Sequence, residues 1–311
     1  MSAVRVAAID CGTNSIRLLV ADVDLLAGTS VDVDRRMEIV RLGEGVDRTG
    51  RLGDKALART FAACDGYAEV IRATGATTLR FVATSASRDA SNRTEFESGV
   101  RERLGVLPEV ISGSEEAALS FRGATRELLA GSSQVASPFL VVDIGGGSTE
   151  FAVGTGSPDA STSVDIGCVR MTERHLRDDP PTIVQIEAAT HDIDAAIEAA
   201  GAVVPFASAR SLVGLAGSVT TVAAIVLGLP AYDSTRIHGS VISADAVRRV
   251  SDELLAMTRA QRAALPVMHP GRVDVIGAGA LVLRRIVDAV GIAEVVVSEH
   301  DILDGIAWSQ V

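Results

Sequence analysis

A chain of 311 residues is too long for one small core and suits two domains of ordinary size. Hydrophobic residues make up 47% and aromatics 3%, which fits helices packed on Val/Ile strands better than an aromatic-rich sandwich. The formal net charge of −11 argues against non-specific nucleic-acid binding, which needs a basic footprint. It leaves room for a local anion site made of backbone N–H groups, an arginine and a divalent cation.

The N-terminus runs straight into strand-like AVRVAAID with no signal-peptide core, and no apolar stretch approaches about 18–20 residues, so a cytoplasmic protein without a membrane span is expected. Cys11, Cys64 and Cys168 are far apart and lack C-x-x-C spacing, which suggests neither disulfides nor a zinc site. His175, His191, His238, His269 and His300 show no ligand spacing and read as structural or surface residues.

In chain order, Val4–Asp10 and Ile16–Val23 read as strands around a turn at Cys11–Asn14, and Ser30–Leu42 as a third strand. Helical spacing over Gly53–Thr74 ends before Gly75. A short buried strand at Thr78–Ala83 leads through the polar turn TSASRDASN to a helix near Arg93–Leu104. A strand at Leu107–Ile111 and a helix at Ser114–Leu129 follow, with Ser114 as its N-cap. AGSSQVASP (130–138) reads as a linker or surface loop. The opening then recurs: strands at Phe139–Asp143, Ser148–Val153 and near Ser161–Ile166, and helices near Val169–Arg177 and Thr182–Ala200. Ser211–Ala216 is an apolar strand emptying through a glycine turn into a helix. Helices at Ala244–Arg259 and Arg272–Val290, a strand at Glu294–Ser298 and a helix from about Asp301 complete the chain. Strands alternating with helices predict an α/β protein, and the repeated opening predicts a duplicated domain with a cleft between the halves.

The repeat carries the chemistry. In AIDCGTNSIRLLV and VVDIGGGSTEFAV, Asp10 aligns with Asp143, Gly12 with Gly145 and Ser15 with Ser148. Gly145, Gly146 and Gly147 let the backbone approach a ligand closely, with N–H groups directed at it. Asp143 and Glu150 flank the turn and offer hard oxygens to Mg²⁺. The same pattern also makes a tight hairpin whose glycines serve only turn geometry; duplication with a retained Asp and Ser favours phosphate binding. Gly12, Thr13, Asn14 and Ser15 offer donors in the same way, with Asp10 near a metal, although Asp and Asn also stabilise turns locally. In GLAGSVTTVAA, Gly217 and Ser218 open a helix whose N-terminus favours an anion, unless Ser218 is simply its cap. Arg88 presents a planar fork suited to phosphate, though loop arginines are commonly just solvated. Glu115 and Glu116 in SGSEEA sit in a first helical turn, where acids are favourable on their own account; the sharper alternative is a general base at the cleft lip. No thiol nucleophile is evident beside Cys11 or Cys168, and no G-x-x-x-x-G-K-[ST] segment is present.

Together, AAIDCGTNSIRLLV, FVATSASRDASN, VISGSEEA, VVDIGGGSTE, GLAGSVTTVAA and VIGAGALVL resemble the exopolyphosphatase/guanosine pentaphosphate phosphatase (Ppx/GppA) family, in order along essentially the whole chain. That resemblance implies two ribonuclease H-like (actin-like ATPase) domains, at 1–125 and 126–311, with the active site between them and a final helix, about 299–311, packed back onto the first. It implies release of terminal phosphate from inorganic polyphosphate, here short chains, with Mg²⁺ or Mn²⁺. Glu116 is implied as base ahead of Glu115, and Asp143 and Glu150 as carboxylates that hold Mg²⁺ or position water. Gly12 to Ser15, Arg88, Gly145 to Ser148 and Gly217–Ser218 match phosphate-contacting segments. A homodimer is expected from the family. Guanosine pentaphosphate hydrolysis, with a part in the stringent response, is the alternative, and a non-catalytic polyphosphate or alarmone sensor a further one. A sugar or acetate kinase of the actin–Hsp70–sugar kinase superfamily, to which that family belongs, fits less well, since TSASRDASN and SGSEEA have no evident place in it. Long family members continue into an HD-like helical domain where this sequence ends, and SEHDILDG lacks an arginine found in the family's late segment. Both features put processivity on long chains in doubt.

Overall fold

A computed structural model describes residues 3–130 and 135–311, so part of the expected linker at 130–138 lies outside the described residues. Backbone contacts divide the chain into two units, Met1–Gly123 with Ile302–Val311, and Ala124–Asp301.

The first unit opens as an antiparallel meander of β1 (Val4–Cys11), β2 (Ser15–Asp24) and β3 (Thr29–Ile39). It continues through α1 (Val46–Thr49), α2 (Asp54–Thr74), β4 (Thr78–Ala83), α3 (Ser85–Arg88), α4 (Arg93–Leu104), β5 (Glu109–Val110) and α5 (Gly113–Ala130). The sheet order is β3-β2-β1-β4-β5, with β4 parallel to β1 and β5 parallel to β4. β1 is buried from Val6 to Cys11, as a central strand covered on both faces must be. β3 is mostly exposed and carries the ion pairs Arg35–Asp32 and Arg36–Asp34, which blunt an edge.

In the second unit β6 (Phe139–Ile144), β7 (Thr149–Gly154) and β8 (Pro158–Val164) repeat the meander. Then come α6 (Cys168–Arg174), α7 (Ile183–Val203), β9 (Ser211–Leu215), α8 (Ala216–Val226), α9 (Ser234–Ile237), β10 (Val241–Ser243), α10 (Ala244–Ala256), α11 (Arg259–Ala263), α12 (Ile276–Val290) and β11 (Glu294–Val297). The order is β10-β11-β9-β6-β7-β8, the first unit's order extended by one antiparallel strand. The short β10 and the four-residue α1 and α9 carry no periodic signal, and the sequence did not announce them. The helix expected over Arg272–Val290 instead begins at Ile276, after a 3₁₀ turn at Pro270–Arg272.

The first sheet is covered on one face by α2 and α4, through Leu57, Tyr67, Phe96 and Val100. On its other face α13 (Ile302–Trp308) lays Ile302, Leu303, Ile306 and Trp308 against Val6, Ala8, Leu19 and Val23, each buried side chain contributing roughly 1.5–3 kcal/mol. Gln310 Nε2 donates to the Ala7 carbonyl and Arg80 Nη1 to the Ser309 hydroxyl, fixing the register of that helix. No helix among the described residues is long and apolar enough to cross a membrane. The three cysteines are buried thiols.

Candidate active site

Both repeated turns are held by the same device. In the first unit Gly12 N–H donates to the Ser15 carbonyl at 2.9 Å, closing the β1–β2 turn. Its outward carbonyls are then taken up: Thr13 O by Gly43 N–H (2.8 Å), Asn14 O by the amides of Val40 (3.1 Å) and Arg41 (2.8 Å). Gly43 permits that approach, since a Cβ there would collide with the Thr13 side chain. In the second unit Gly145 N–H donates to Ser148 O at 3.1 Å. The start of α6 consumes the carbonyls: Cys168 N–H bonds Gly145 O (2.9 Å), Val169 N–H bonds Gly146 O (2.8 Å), and Gly167 N–H bonds Gly147 O (3.2 Å). Arg170 Nε adds a bond to Gly147 O at 2.7 Å, and a Cβ on Gly167 would run into the Gly146 backbone. With carbonyls spent on the protein, each turn shows its amides outward. Those of Thr13 and Asn14, and of Gly146 and Gly147, donate to no acceptor among the described residues. Paired outward N–H groups of this kind form an anion-binding concavity.

The residues beside the turns differ between units. Asp10 stands opposite Arg17 in the β1–β2 register, and Asp143 opposite Glu150 in β6–β7. Directly opposed residues of an antiparallel pair share a face. Arg17 therefore closes on Asp10, with Nη2 2.6 Å and Nε 3.0 Å from Oδ2. The second unit instead sets two carboxylates side by side, Asp143 7% and Glu150 2% exposed. The Ser163 hydroxyl donates to Glu150 Oε1 at 2.7 Å and fixes its orientation. Two buried carboxylates on one face are a donor set for a hard divalent cation.

The glutamate pair separates clearly. Successive helical residues point about 100° apart. Glu115 turns outward to Arg80 Nη2 (3.0 Å) and its side chain is half exposed. Glu116 is 8% exposed, and its Oε2 receives Arg88 Nη1 at 3.3 Å. The same Arg88 nitrogen donates to Ile111 O at 3.0 Å, while Nε and Nη2 have no acceptor among the described residues. Arg88 closes the short helix α3, and residues 84–87, expected in a polar turn, are buried. The cap of α5 is Ser112, whose hydroxyl accepts from Glu115 N–H at 3.2 Å, and not Ser114.

At α8 the chain leaves β9 through Ala216 at φ 65°, a left-handed conformation that costs an alanine about 1 kcal/mol. Ser218 does not cap this helix; it is buried against Gly279, beside Cys168. Burial pushes the Cys168 thiol up, against the opposing pull of Ser218 and the Arg272 charge, which keeps it a neutral thiol rather than a nucleophile. Arg272 is a member the sequence did not single out. It arrives from the Pro270–Arg272 turn, donates through Nη1 to Thr221 Oγ1 at 3.1 Å, and lies directly over Gly217. A Cβ on Gly217 would stand 2.6 Å from its Nε and nearer still to Cζ. The preceding His269 is pushed below its ordinary value by burial and by Arg272. Gly12, by contrast, has ordinary room for a Cβ among the protein atoms around it, and its amide closes the turn.

The chain is similar to known proteins over nearly its whole length. Exopolyphosphatase 2 of Mycobacterium tuberculosis is 51% identical over 320 residues, covering 99% of each chain. The crystal structure of an exopolyphosphatase-like protein shares the fold with a TM-score of 0.95 at 45% identity, covering 100% of this chain and 98% of its own. Guanosine-5'-triphosphate,3'-diphosphate pyrophosphatase of Vibrio cholerae is 38% identical over 174 residues, 55% of this chain and 33% of that protein. Residues 19–311 match the model of the Ppx/GppA phosphatase family, to which this chain belongs.

Proposed function

We propose that the protein is an exopolyphosphatase that releases terminal orthophosphate from inorganic polyphosphate by in-line attack of water. The observation that carries this reading is the pairing of Glu116 with Arg88: a nine-tenths buried carboxylate held beside a guanidinium that keeps further donors for phosphate oxygens. Phosphoryl transfer asks a protein mainly for positioning and charge neutralisation. The outward amides at Thr13–Asn14 in the first unit and at Gly146–Gly147 in the second each suit phosphate oxygens, and within its own unit Arg88 or Arg272 offers charge-assisted bonds. Glu116 orients the water and takes its proton, a contribution of about 10²–10⁴ in rate. Glu115, engaged by Arg80 at the surface, supports the helix and takes no proton.

Asp143 and Glu150 fit Mg²⁺ or Mn²⁺: hard oxygens, on one buried face, one of them oriented by Ser163. When bound, the cation would neutralise phosphate charge there. Asp10, already paired with Arg17, anchors the first turn.

The family and the Vibrio cholerae relative favour a second substrate for the same site, guanosine pentaphosphate, with the nucleotide as tail. A panel of short polyphosphate, long polyphosphate, guanosine pentaphosphate and ATP, each assayed for phosphate release with and without Mg²⁺, tests both. Release from short polyphosphate that needs Mg²⁺ is expected. Tight binding with no release from any substrate would instead favour a sensor, and release from ATP only with a sugar present a kinase.

A further inference from the structure

Two histidines far apart in sequence meet in the second unit. His238 follows α9, and His300 follows β11. Each directs one ring nitrogen at the same oxygen of Glu127 on α5: His238 Nε2 at 3.0 Å and His300 Nδ1 at 3.2 Å from Oε2. The rings lie 4.5 Å apart between centroids, tilted by 38°. All three ligand atoms fall within 4.8 Å of one another. Zinc–ligand bonds of about 2.0–2.1 Å in tetrahedral geometry set ligand atoms roughly 3.3 Å apart, so two edges of that tetrahedron are nearly in place.

We propose that Glu127, His238 and His300 form a binding site for a borderline transition cation, Zn²⁺ foremost, with a donor set distinct from the carboxylate pair Asp143 and Glu150. Imidazole nitrogens select Zn²⁺ over Mg²⁺, which prefers oxygen alone. The ligands stand on fixed backbone. Gly239 N–H bonds Val297 O at 2.8 Å beside His238, and the buried Ser298 hydroxyl takes His300 N–H (3.0 Å) and donates to His300 O (2.8 Å). Glu127 is the most exposed of the three, leaving the fourth coordination position to water.

One feature weakens the site below a closed structural zinc centre. His238 Nδ1 accepts from Glu299 N–H at 3.1 Å, so in the metal-free state its proton sits on Nε2 and points at Glu127. Metal uptake moves that proton to Nδ1 and gives up the Glu299 bond. Zinc binding raises thermal stability, because the ion ties the two ends of the unit, at Glu127 and His300, to each other.

The test is titration of the full chain with Zn²⁺ in constant millimolar Mg²⁺ by calorimetry, with Co²⁺ ligand-field absorption as a spectroscopic companion. One equivalent should bind with a tetrahedral Co²⁺ spectrum. His300→Ala and His238→Ala should each weaken binding tenfold or more and abolish that spectrum, while the exposed His191→Ala control leaves both intact. His300 lies in a surface loop, so its variant keeps the question open to measurement even where His238→Ala disturbs folding. Mg²⁺-dependent phosphate release and circular dichroism report that each variant is folded. Unchanged zinc affinity in the double variant His238→Ala/His300→Ala, or no stoichiometric binding in the wild type, would overturn the site.

Discussion

Gly217→Ala isolates the phosphate grip of Arg272 from the stability of the fold. A methyl group at that position must displace the guanidinium, because Nε stands 2.6 Å from where the Cβ would be and Cζ nearer. The obstacle is the end of a flexible side chain, so it yields. Displacement costs at least the bond from Arg272 to Thr221, about 1.5–3 kcal/mol for a charged donor. Alanine for glycine within α8 returns about 0.5–1 kcal/mol of helix propensity. The helix gain offsets only part of that loss, and the melting temperature should fall by a few degrees. A charge-assisted bond to phosphate is another matter. Its loss is worth about 1.5–3 kcal/mol, roughly 10- to 100-fold in kcat/KM at 1.4 kcal/mol per tenfold. Steady-state phosphate release from polyphosphate, with a parallel thermal melt, measures both quantities. Unchanged kcat/KM would remove Arg272 from the site, and a large fall in stability would show that the guanidinium cannot yield.

Two further outcomes follow from the same geometry. Arg17→Met deletes the guanidinium that closes on the buried Asp10; removing one partner of such a pair costs about 3 kcal/mol, read as a lower urea midpoint. A midpoint within error of wild type would show that the pair contributes nothing. His269 has a folded-state pKa below the ordinary 6.5, so the folded protein prefers it neutral. Its stabilising contribution is therefore complete above about pH 6.5 and is lost as the pH falls from there through the folded value. His269 Nδ1 also accepts from Gly271 N–H, a bond that protonation removes. His269→Asn, which keeps an acceptor without the titration, should flatten the fall in melting temperature between about pH 7 and 5. An equal slope in both proteins would exclude His269 as its source.

What could be read from the sequence was local. The Asp–Gly–Ser turns announced themselves because a hairpin fixes register, and register alone sets Asp143 opposite Glu150 and Asp10 opposite Arg17. What could not be read depends on distant segments or on burial. Arg272 reaches Gly217 from a loop beyond α11, and no spacing connects them. Glu115 and Glu116 are the same residue type at adjacent positions; only the packing of α5, with Arg80 on one side and Arg88 on the other, tells them apart. The histidines looked isolated because His238 and His300 are joined through neighbouring strands β10 and β11, not through a motif. Ser218 looked like a helix cap because the residue type is right, yet it makes no cap bond and lies buried against Gly279.

Glu116→Gln tests the central assignment most directly. Glutamine keeps the shape and an oxygen for Arg88 but cannot take a proton from water. Single-turnover phosphate release from polyphosphate in Mg²⁺, measured beside polyphosphate affinity, should show release slowed by about 10²–10⁴ with affinity within a few-fold of wild type. Release at the wild-type rate from a variant that binds normally would contradict Glu116 as the base.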